Sequence, residues 1–165
     1  MVNVGRSSVL DACVLIDFCQ EDSTLLALAA RHLGRIIVLS PVLKEVRQLD
    51  EAECERLGLS IHEPDMELLL EASERRGGLS LRDRLCLAFA KKETCILYTN
   101  DKPLLSAASC DGVDARWGLQ ILIDLVSIDE LTRHDALTAA QNICDRSRFH
   151  ADGLVEEFRH RLKTT

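Results

Sequence analysis

The segment SSVLDACVLIDFCQ, residues 7–20, places one acid, Asp11, inside an apolar run. An unpaired carboxylate is costly to bury, so Asp11 either reaches solvent at the end of a strand or has a cationic partner. We interpret residues 8–12 as a short buried strand that leads into a helix, with Asp11 at the end of that strand. The rest of the sequence helps to choose between the two explanations.

The composition is that of one ordinary globular domain. The chain has 165 residues, of which 47% are hydrophobic and 28% charged. Its net charge of −7 makes general electrostatic attraction to nucleic acid unexpected, so any such contact needs local basic patches or metal ions. One Trp, one Tyr and four Phe are too few for an extended base-stacking platform.

The seven cysteines are widely spaced and form no C-x-x-C or zinc-binding pattern. We therefore expect reduced thiols in the core of a cytoplasmic protein. We also expect no signal peptide, because Asp11 and Asp17 interrupt the N-terminal apolar stretch. No run of 18 apolar residues occurs, so we expect no membrane span.

Short apolar runs alternate with amphipathic segments along the chain. After the first strand, strands are predicted in RIIVLS, LGLSIHEP, TCILYTND and GVDA. Helices are predicted in DSTLLALAARHLG, SPVLKEVRQL, PDMELLLEASERRGG, SLRDRLCLAFAKKE, LQILIDLV, DELTRHDALTAAQNIC and DGLVEEFRHRL. This order favours an α/β three-layer sandwich, in which a short parallel sheet is flanked by helices, with a helical C-terminal extension. We divide the chain into residues 1–128 and an extension, residues 129–165, packed on the same domain.

Four acids would meet at the carboxyl edge of such a sheet, where ligands bind in open parallel sheets. They are Asp11, Glu45 near the start of the helix after the second strand, Asp83 in the first turn of the helix before the fourth strand, and Asp101 after that strand. Each has a structural alternative. Asp83 and Ser80 form a capping-box pattern, Glu45 suits a helix N-terminus, and Asp101 suits a turn in NDKP.

Together the four carboxylates predict a metal site. They would raise one another's pKa values unless cations neutralised them. Oxygen ligands suit Mg²⁺ or Mn²⁺, which support phosphodiester hydrolysis. Asp114, after a further short strand, is an additional candidate at the margin of this cluster.

In order and spacing, VLDACVLIDF, SPVLKEV and LSLRDRLCLAFAKKETCILYTNDKPL resemble the PIN domain family over about residues 8–128. The tail SRFHADGLVEEFRHRL resembles C-terminal extensions of some PIN proteins. The resemblance implies a Mg²⁺- or Mn²⁺-dependent endoribonuclease that uses a metal-activated water, of the kind found in VapC-type toxins. It assigns catalysis and metal binding to Asp11, Glu45, Asp83 and Asp101, with Thr99 in support.

The resemblance also implies partners. These are an RNA substrate, an antitoxin protein that inserts an Arg or Lys into the acidic cleft, and a second copy of the chain in a homodimer, with no membrane contact. Arg82, Arg84 and Lys102 are candidates for holding the RNA backbone, although a solvated helix end is the alternative explanation for the arginines.

The sequence departs from the family next to the first acid. Ala12 stands where the family usually has Thr or Ser, and Cys13 where it often has Ser or Asn, which predicts lower activity without loss of metal binding. The alternative function is therefore a catalytically weakened PIN-like module that binds RNA or protein. A haloacid-type phosphohydrolase would need D-x-D at the first strand, which Asp11-Ala12-Cys13 does not supply.

Overall fold

The computed structural model describes residues 4–147 and 153–165, and a parallel β-sheet forms the centre of the fold. The sheet has five strands in the order β3-β2-β1-β4-β5. They are β1 (Ser8–Leu10), β2 (Ile36–Leu39), β3 (Ser60–His62), β4 (Ile96–Tyr98) and β5 (Ala115–Arg116). The predicted α/β fold with a short parallel sheet is confirmed.

Ten helices within the described residues flank the sheet. They are α1 (Ala12–Asp22), α2 (Thr24–His32), α3 (Ser40–Leu43), α4 (Glu51–Leu57), α5 (Met66–Glu74), α6 (Leu81–Glu93), α7 (Lys102–Cys110), α8 (Gln120–Ser127), α9 (Arg133–Arg146) and α10 (Leu154–Lys163). One packed group contains α1, α2, α8 and α9, and another contains α5, α6 and α7. The central strands β1, β2 and β4 are buried along their whole length.

The strand order reverses at β1. This strand pairs with β2 on one side and with β4 on the other, where Leu10 lies opposite Tyr98. A parallel sheet opens a crevice beyond its carboxyl ends at such a point. The residues that follow β1 and β4 therefore lie at the mouth of one crevice.

The segment SPVLKEVRQL does not form the long helix that its Ser-Pro start predicted. Helix α3 ends at Leu43, and Ser40 is its first residue rather than its cap. The amides of Glu45 and Val46 then donate to carbonyl oxygens three residues earlier, at 3.0 Å each, so the chain continues in tight turns. These turns bury Val42, Val46 and Leu49, and the expectation that Glu45 lies on a helix is wrong.

Other boundaries also differ from the predictions. Strand β1 ends at Leu10 because Asp11 caps α1, and β5 covers Ala115–Arg116 rather than GVDA. Helix α7 follows Asp101, where the sequence had been interpreted only as a turn, and α4 was not predicted separately. Proline is well tolerated in the first turn of a helix, as in α7, so NDKP suited a helix start as well.

The C-terminal helices pack on the rest of the chain. Helix α9 contacts α1 and α8, and α10 contacts α9. The Glu21 carboxylate accepts hydrogen bonds from Asn142, at 3.0 Å, and from Arg146. The division at residue 128 stays a prediction, and residues 148–152 of the tail motif lie outside the described residues. Within the described ranges, no helix is both long and apolar enough to cross a membrane.

A prediction concerns Gly34, which lies between α2 and β2 with φ of +149°. A Cβ atom at this position would lie 2.3 Å from the carbonyl oxygen of Arg6. We expect Gly34→Ala to lower the free energy of unfolding by at least about 2 kcal/mol, because strain and overlap add together. Gly78→Ala is the matched control, since a Cβ there meets no atom within 4 Å. Urea denaturation that gave the two variants equal stability would contradict this account.

Candidate functional site

The side chain of Asp11 connects the carboxyl ends of β1 and β4 at the crevice. It caps α1, where its Oδ1 accepts a hydrogen bond from the Val14 amide at 2.9 Å. Its Oδ2 accepts a hydrogen bond from the Thr99 hydroxyl, which follows β4. Only 2% of Asp11 is exposed, so a carboxylate lies in the protein interior next to two neighbouring strand ends.

The surroundings of Asp11 favour its neutral form. Burial raises the pKa of this carboxyl to about 7, against the lowering effect of the Thr99 and Val14 hydrogen bonds. The charges of Asp83 and Asp101 raise the pKa further. No Lys, Arg or His within residues 4–147 and 153–165 forms an ion pair with Asp11, so the proposed cationic partner is absent there.

Asp101 lies at the start of α7, close to Asp11. Its amide donates to the Thr99 hydroxyl oxygen at 3.0 Å, so one Thr side chain connects Asp11 to the backbone of Asp101. Burial raises the pKa of the Asp101 carboxyl, and the charge of Asp83 raises it further. The two acids that follow β1 and β4 are thus held together at the crevice.

Asp83 has both of the roles considered for it. Its Oδ2 accepts hydrogen bonds from the Ser80 hydroxyl at 2.7 Å and the Ser80 amide at 3.3 Å, and its own amide donates to the Ser80 hydroxyl oxygen. These contacts confirm the capping box at the start of α6. The same carboxylate raises the pKa values of Asp11 and Asp101, so it also belongs to the electrostatic cluster.

Glu45 lies at the margin of this cluster. Its Oε1 is 2.5 Å from the terminal nitrogen of Arg82, and both side chains are substantially exposed. Burial raises the pKa of the Cys86 thiol, and the charges of Asp11, Asp83 and Glu45 raise it further, which places Glu45 on the same side of the molecule as the other two acids. Glu45 therefore approaches the site but is neutralised by an arginine of this chain.

The donor chemistry fits a hard divalent cation, since the converging groups are carboxylates that repel one another. They are not arranged as a complete ligand set. Among the described residues, no three His, Cys, Asp or Glu side chains are grouped closely enough to hold a metal ion. Asp11 and Asp83 already accept hydrogen bonds from within the chain.

The sequence analysis missed two polar residues of the site, Asp17 and Asn100. The Asn100 amide donates to Asp17 Oδ2 at 2.9 Å, and its Oδ1 accepts from the Gly118 amide at 3.0 Å. Both residues line a cleft of about 670 Å³ beside Asp101. The available signal was helical spacing, because Cys13, Ile16, Asp17 and Gln20 lie on the same face of α1 and all line this cleft.

The predicted basic contacts divide into two kinds. Arg82 binds Glu45 and the Pro41 carbonyl, and Arg84 donates to the carbonyls of Arg75 and Ser80, so both arginines stabilise local structure. Lys102 is exposed and lines the cleft beside Asp101.

Asp114, the additional candidate at the margin of the acid cluster, does not belong to it. It precedes β5 and therefore lies at the amino edge of the parallel sheet, away from the crevice. Its carboxylate pairs with Arg6 at 2.7 Å and Arg116 at 2.9 Å, which lowers its pKa.

Comparison with known proteins supports the fold. No family model matches the chain, and no curated protein matches it. Among solved structures, it is similar to a PilT N-terminus (PIN) domain protein from the hyperthermophilic archaeon Sulfolobus solfataricus. The similarity has a TM-score of 0.55 at 13% identity, and it covers 78% of this chain and 96% of the other. The chain thus has a PIN-like fold.

The raised pKa of Asp11 predicts a distinctive pH dependence of stability. From the ordinary pKa of 3.8 to about 7, the folded state holds a proton that the unfolded state has lost. The contribution of Asp11 to wild-type stability should therefore fall as pH rises through this window and level off above it. Asp11→Asn removes the titration, so its stability relative to wild type should increase by on the order of 3 kcal/mol between pH values of about 4 and 8.

The measurement is chemical denaturation of both proteins across that pH range. Asp129→Asn is the matched control, because Asp129 is exposed and has φ of +61°, a conformation that Asn adopts readily. A stability difference between wild type and Asp11→Asn that does not change with pH would show that Asp11 titrates normally.

Proposed function

We propose that the chain is a Mg²⁺- or Mn²⁺-dependent endoribonuclease. The observation that carries the proposal is the position of Asp83 near Asp11 and Asp101 at the crevice of a PIN-like fold, where its charge adds to burial in raising the pKa values of both. A cluster of carboxylates without a balancing cation is costly for a folded protein, and such clusters occur where a cation or a reaction requires them.

Each residue has a role that follows from its position. Thr99 orients Asp11 and holds the Asp101 backbone, so these two carboxylates form the fixed part of the site. Asp83 and Glu45 are the adjustable part, because each must leave a partner within the chain, Ser80 or Arg82. A bound divalent cation would neutralise the carboxylates and lower the pKa of a bound water for attack on the phosphodiester.

Lys102 supports the substrate assignment. Its side chain is exposed beside Asp101 at the rim of the cleft, where an ammonium can bind a backbone phosphate. Net negative charge disfavours general nucleic-acid binding, so substrate contact would depend on this local cation, the metal and the shape of the cleft.

The test of activity is incubation of purified protein with single-stranded and structured RNAs in Mg²⁺, Mn²⁺ or chelator. We expect cleavage only with metal, and a loss of at least about 100-fold in Asp101→Asn, because one carboxylate at the centre of the site becomes neutral. Asp129→Asn should retain the wild-type rate. Cleavage that survives both chelator and Asp101→Asn would contradict the site assignment.

A specific observation favours a second candidate, a weakened PIN-like module that binds RNA or protein. Both oxygens of Asp11 accept hydrogen bonds, and the described residues hold no ready group of three ligands. Ala12 also supplies no hydroxyl beside Asp11. In this case metal binding or RNA binding would persist without cleavage.

Metal binding can be measured separately from activity. We expect saturating Mn²⁺ to stabilise the wild-type protein by about 3 kcal/mol at 100 times its Kd. The effect should be larger at a pH of about 8 than at about 5, since Asp11 must lose its proton to bind a cation. The measurement is the rise in melting temperature on addition of Mn²⁺, which Asp11→Asn should lose and Asp129→Asn should keep. Stabilisation by Mn²⁺ without RNA cleavage would favour the weakened module. The absence of both stabilisation and cleavage would contradict a metal site.

We further propose that this site is controlled by an antitoxin, as in VapC-type toxin–antitoxin pairs. An Arg or Lys from the partner would neutralise Asp11, Asp83 and Asp101, as a cation would. Expression in a bacterial host tests this role. Wild-type protein should arrest growth and Asp101→Asn should not, whereas equal growth of both strains would contradict a toxin.

A further inference from the structure

A second groove lies at the same edge of the sheet as the acid cluster. Strand β5 runs parallel to its neighbours, so Trp117, which follows it, lies at the carboxyl edge. The next residue, Gly118, donates its amide to Asn100, which precedes Asp101. The Trp117 segment is therefore attached by a direct hydrogen bond to the loop that carries the candidate catalytic acid.

The groove has the size and lining of a small ligand site. Its volume is about 400 Å³, within the range of roughly 300–1,000 Å³ typical of ligand pockets. It is lined by Leu105, Ala115, Arg116, Trp117, Gln120 and Arg161. An indole ring, apolar side chains and two guanidinium groups thus surround one open space.

The Arg161 guanidinium lies over one face of the indole in a cation–π contact, so the two side chains form one planar pair. The guanidinium carbon lies 5.5 Å from the centroid of the Trp117 ring. Glu157, one turn earlier on α10, accepts a hydrogen bond from Arg161 at 2.7 Å and so orients the guanidinium. Arg161 is half exposed and its ion pair with Glu157 is a weak surface pair, so its side chain can adjust to a ligand.

The last turn of α10 contributes cations to this part of the surface. Arg161 lines the groove, and Lys163, two residues further along the helix, is exposed. Arg116, on the other side, is bound by Asp114 and contributes a fixed guanidinium to the wall. Although the chain as a whole is acidic, this part of its surface can attract a phosphate next to an aromatic ring.

We propose that this groove binds one unpaired nucleobase of a single-stranded RNA, stacked against the pair formed by Trp117 and the Arg161 guanidinium. The inference deepens the proposed ribonuclease function and rests on it for the identity of the polymer. Single-stranded bases stack on aromatic rings and on guanidinium planes, whereas bases in a duplex do not offer their faces. One indole ring provides for one base, which agrees with the small number of aromatic residues in the chain.

The proposal can be tested by fluorescence because Trp117 is the single tryptophan of the chain. The full chain is titrated, in chelator so that no cleavage occurs, with a short single-stranded RNA, the matching RNA duplex and ribose 5-phosphate. We expect saturable quenching by the single strand only. Anisotropy of a labelled RNA should show affinity reduced roughly tenfold or more in Arg161→Ala and Trp117→Leu, because each variant loses a stacking surface.

Two further variants make the test specific. Arg159→Ala is the matched control, since Arg159 lies on the same helix and pairs with Glu156 but does not line the groove. Trp117→Phe keeps an aromatic ring and should restore much of the affinity lost in Trp117→Leu. Thermal melting checks that each variant is folded.

The outcomes separate this inference from the proposed function. Metal-dependent RNA cleavage without quenching, and with unchanged affinity in Arg161→Ala, would overturn the nucleobase site and leave the nuclease intact. Quenching and loss of affinity without any cleavage would support the base site and contradict the nuclease. Equal quenching by ribose 5-phosphate or by duplex RNA would overturn base stacking in favour of phosphate binding alone.

Discussion

The buried carboxylate of Asp11 is the group around which the crevice is organised. It accepts hydrogen bonds from the Val14 amide in the first turn of α1 and from the Thr99 hydroxyl, so the chain leaving β1 is tied to the chain leaving β4. Thr99 also accepts the Asp101 amide, which fixes the start of α7. A neutral side chain could make similar hydrogen bonds without the cost of desolvating a charge. The hydrogen bonds alone therefore do not require an acid at this position, and a carboxyl with its pKa raised to about 7 supports the chemical role that we propose for it.

The parallel sheet converts separate positions in the sequence into one site. Strands β1 and β4 are neighbours in the sheet although β1 ends at Leu10 and β4 begins only at Ile96. Residues that follow the two strands therefore meet although they are far apart in the sequence. The same rule excludes Asp114, which precedes its strand and lies at the opposite edge beside Arg6. Trp117 follows that strand and returns to the crevice. Position relative to a strand end thus decides which residues can share chemistry.

The sequence predicted those features that depend on local pattern or on strand order. The apolar runs gave the strands, Ser80 and Asp83 gave the cap of α6, and the acids after β1 and β4 gave the crevice. It could not predict the ion pair of Glu45 with Arg82, because this contact depends on where the turns after α3 place Glu45. It also missed Asn100 and Asp17, whose hydrogen bond joins a loop to the face of α1. Such contacts depend on packing between elements, which no local motif records.

The energetic cost of completing a ligand set from these acids is modest. Releasing Asp83 from its capping box costs about 1 kcal/mol, and separating an exposed pair such as Glu45 and Arg82 costs less than about 1 kcal/mol. Asp101 forms no ion pair within residues 4–147 and 153–165, and its proximity to Asp83 and Asp11 is already unfavourable. Costs of about 2 kcal/mol together would weaken the affinity for a divalent cation by roughly 30-fold without preventing its binding. The hydrogen bonds that now hold Asp83 and Glu45 are therefore compatible with a site that completes itself when a cation arrives.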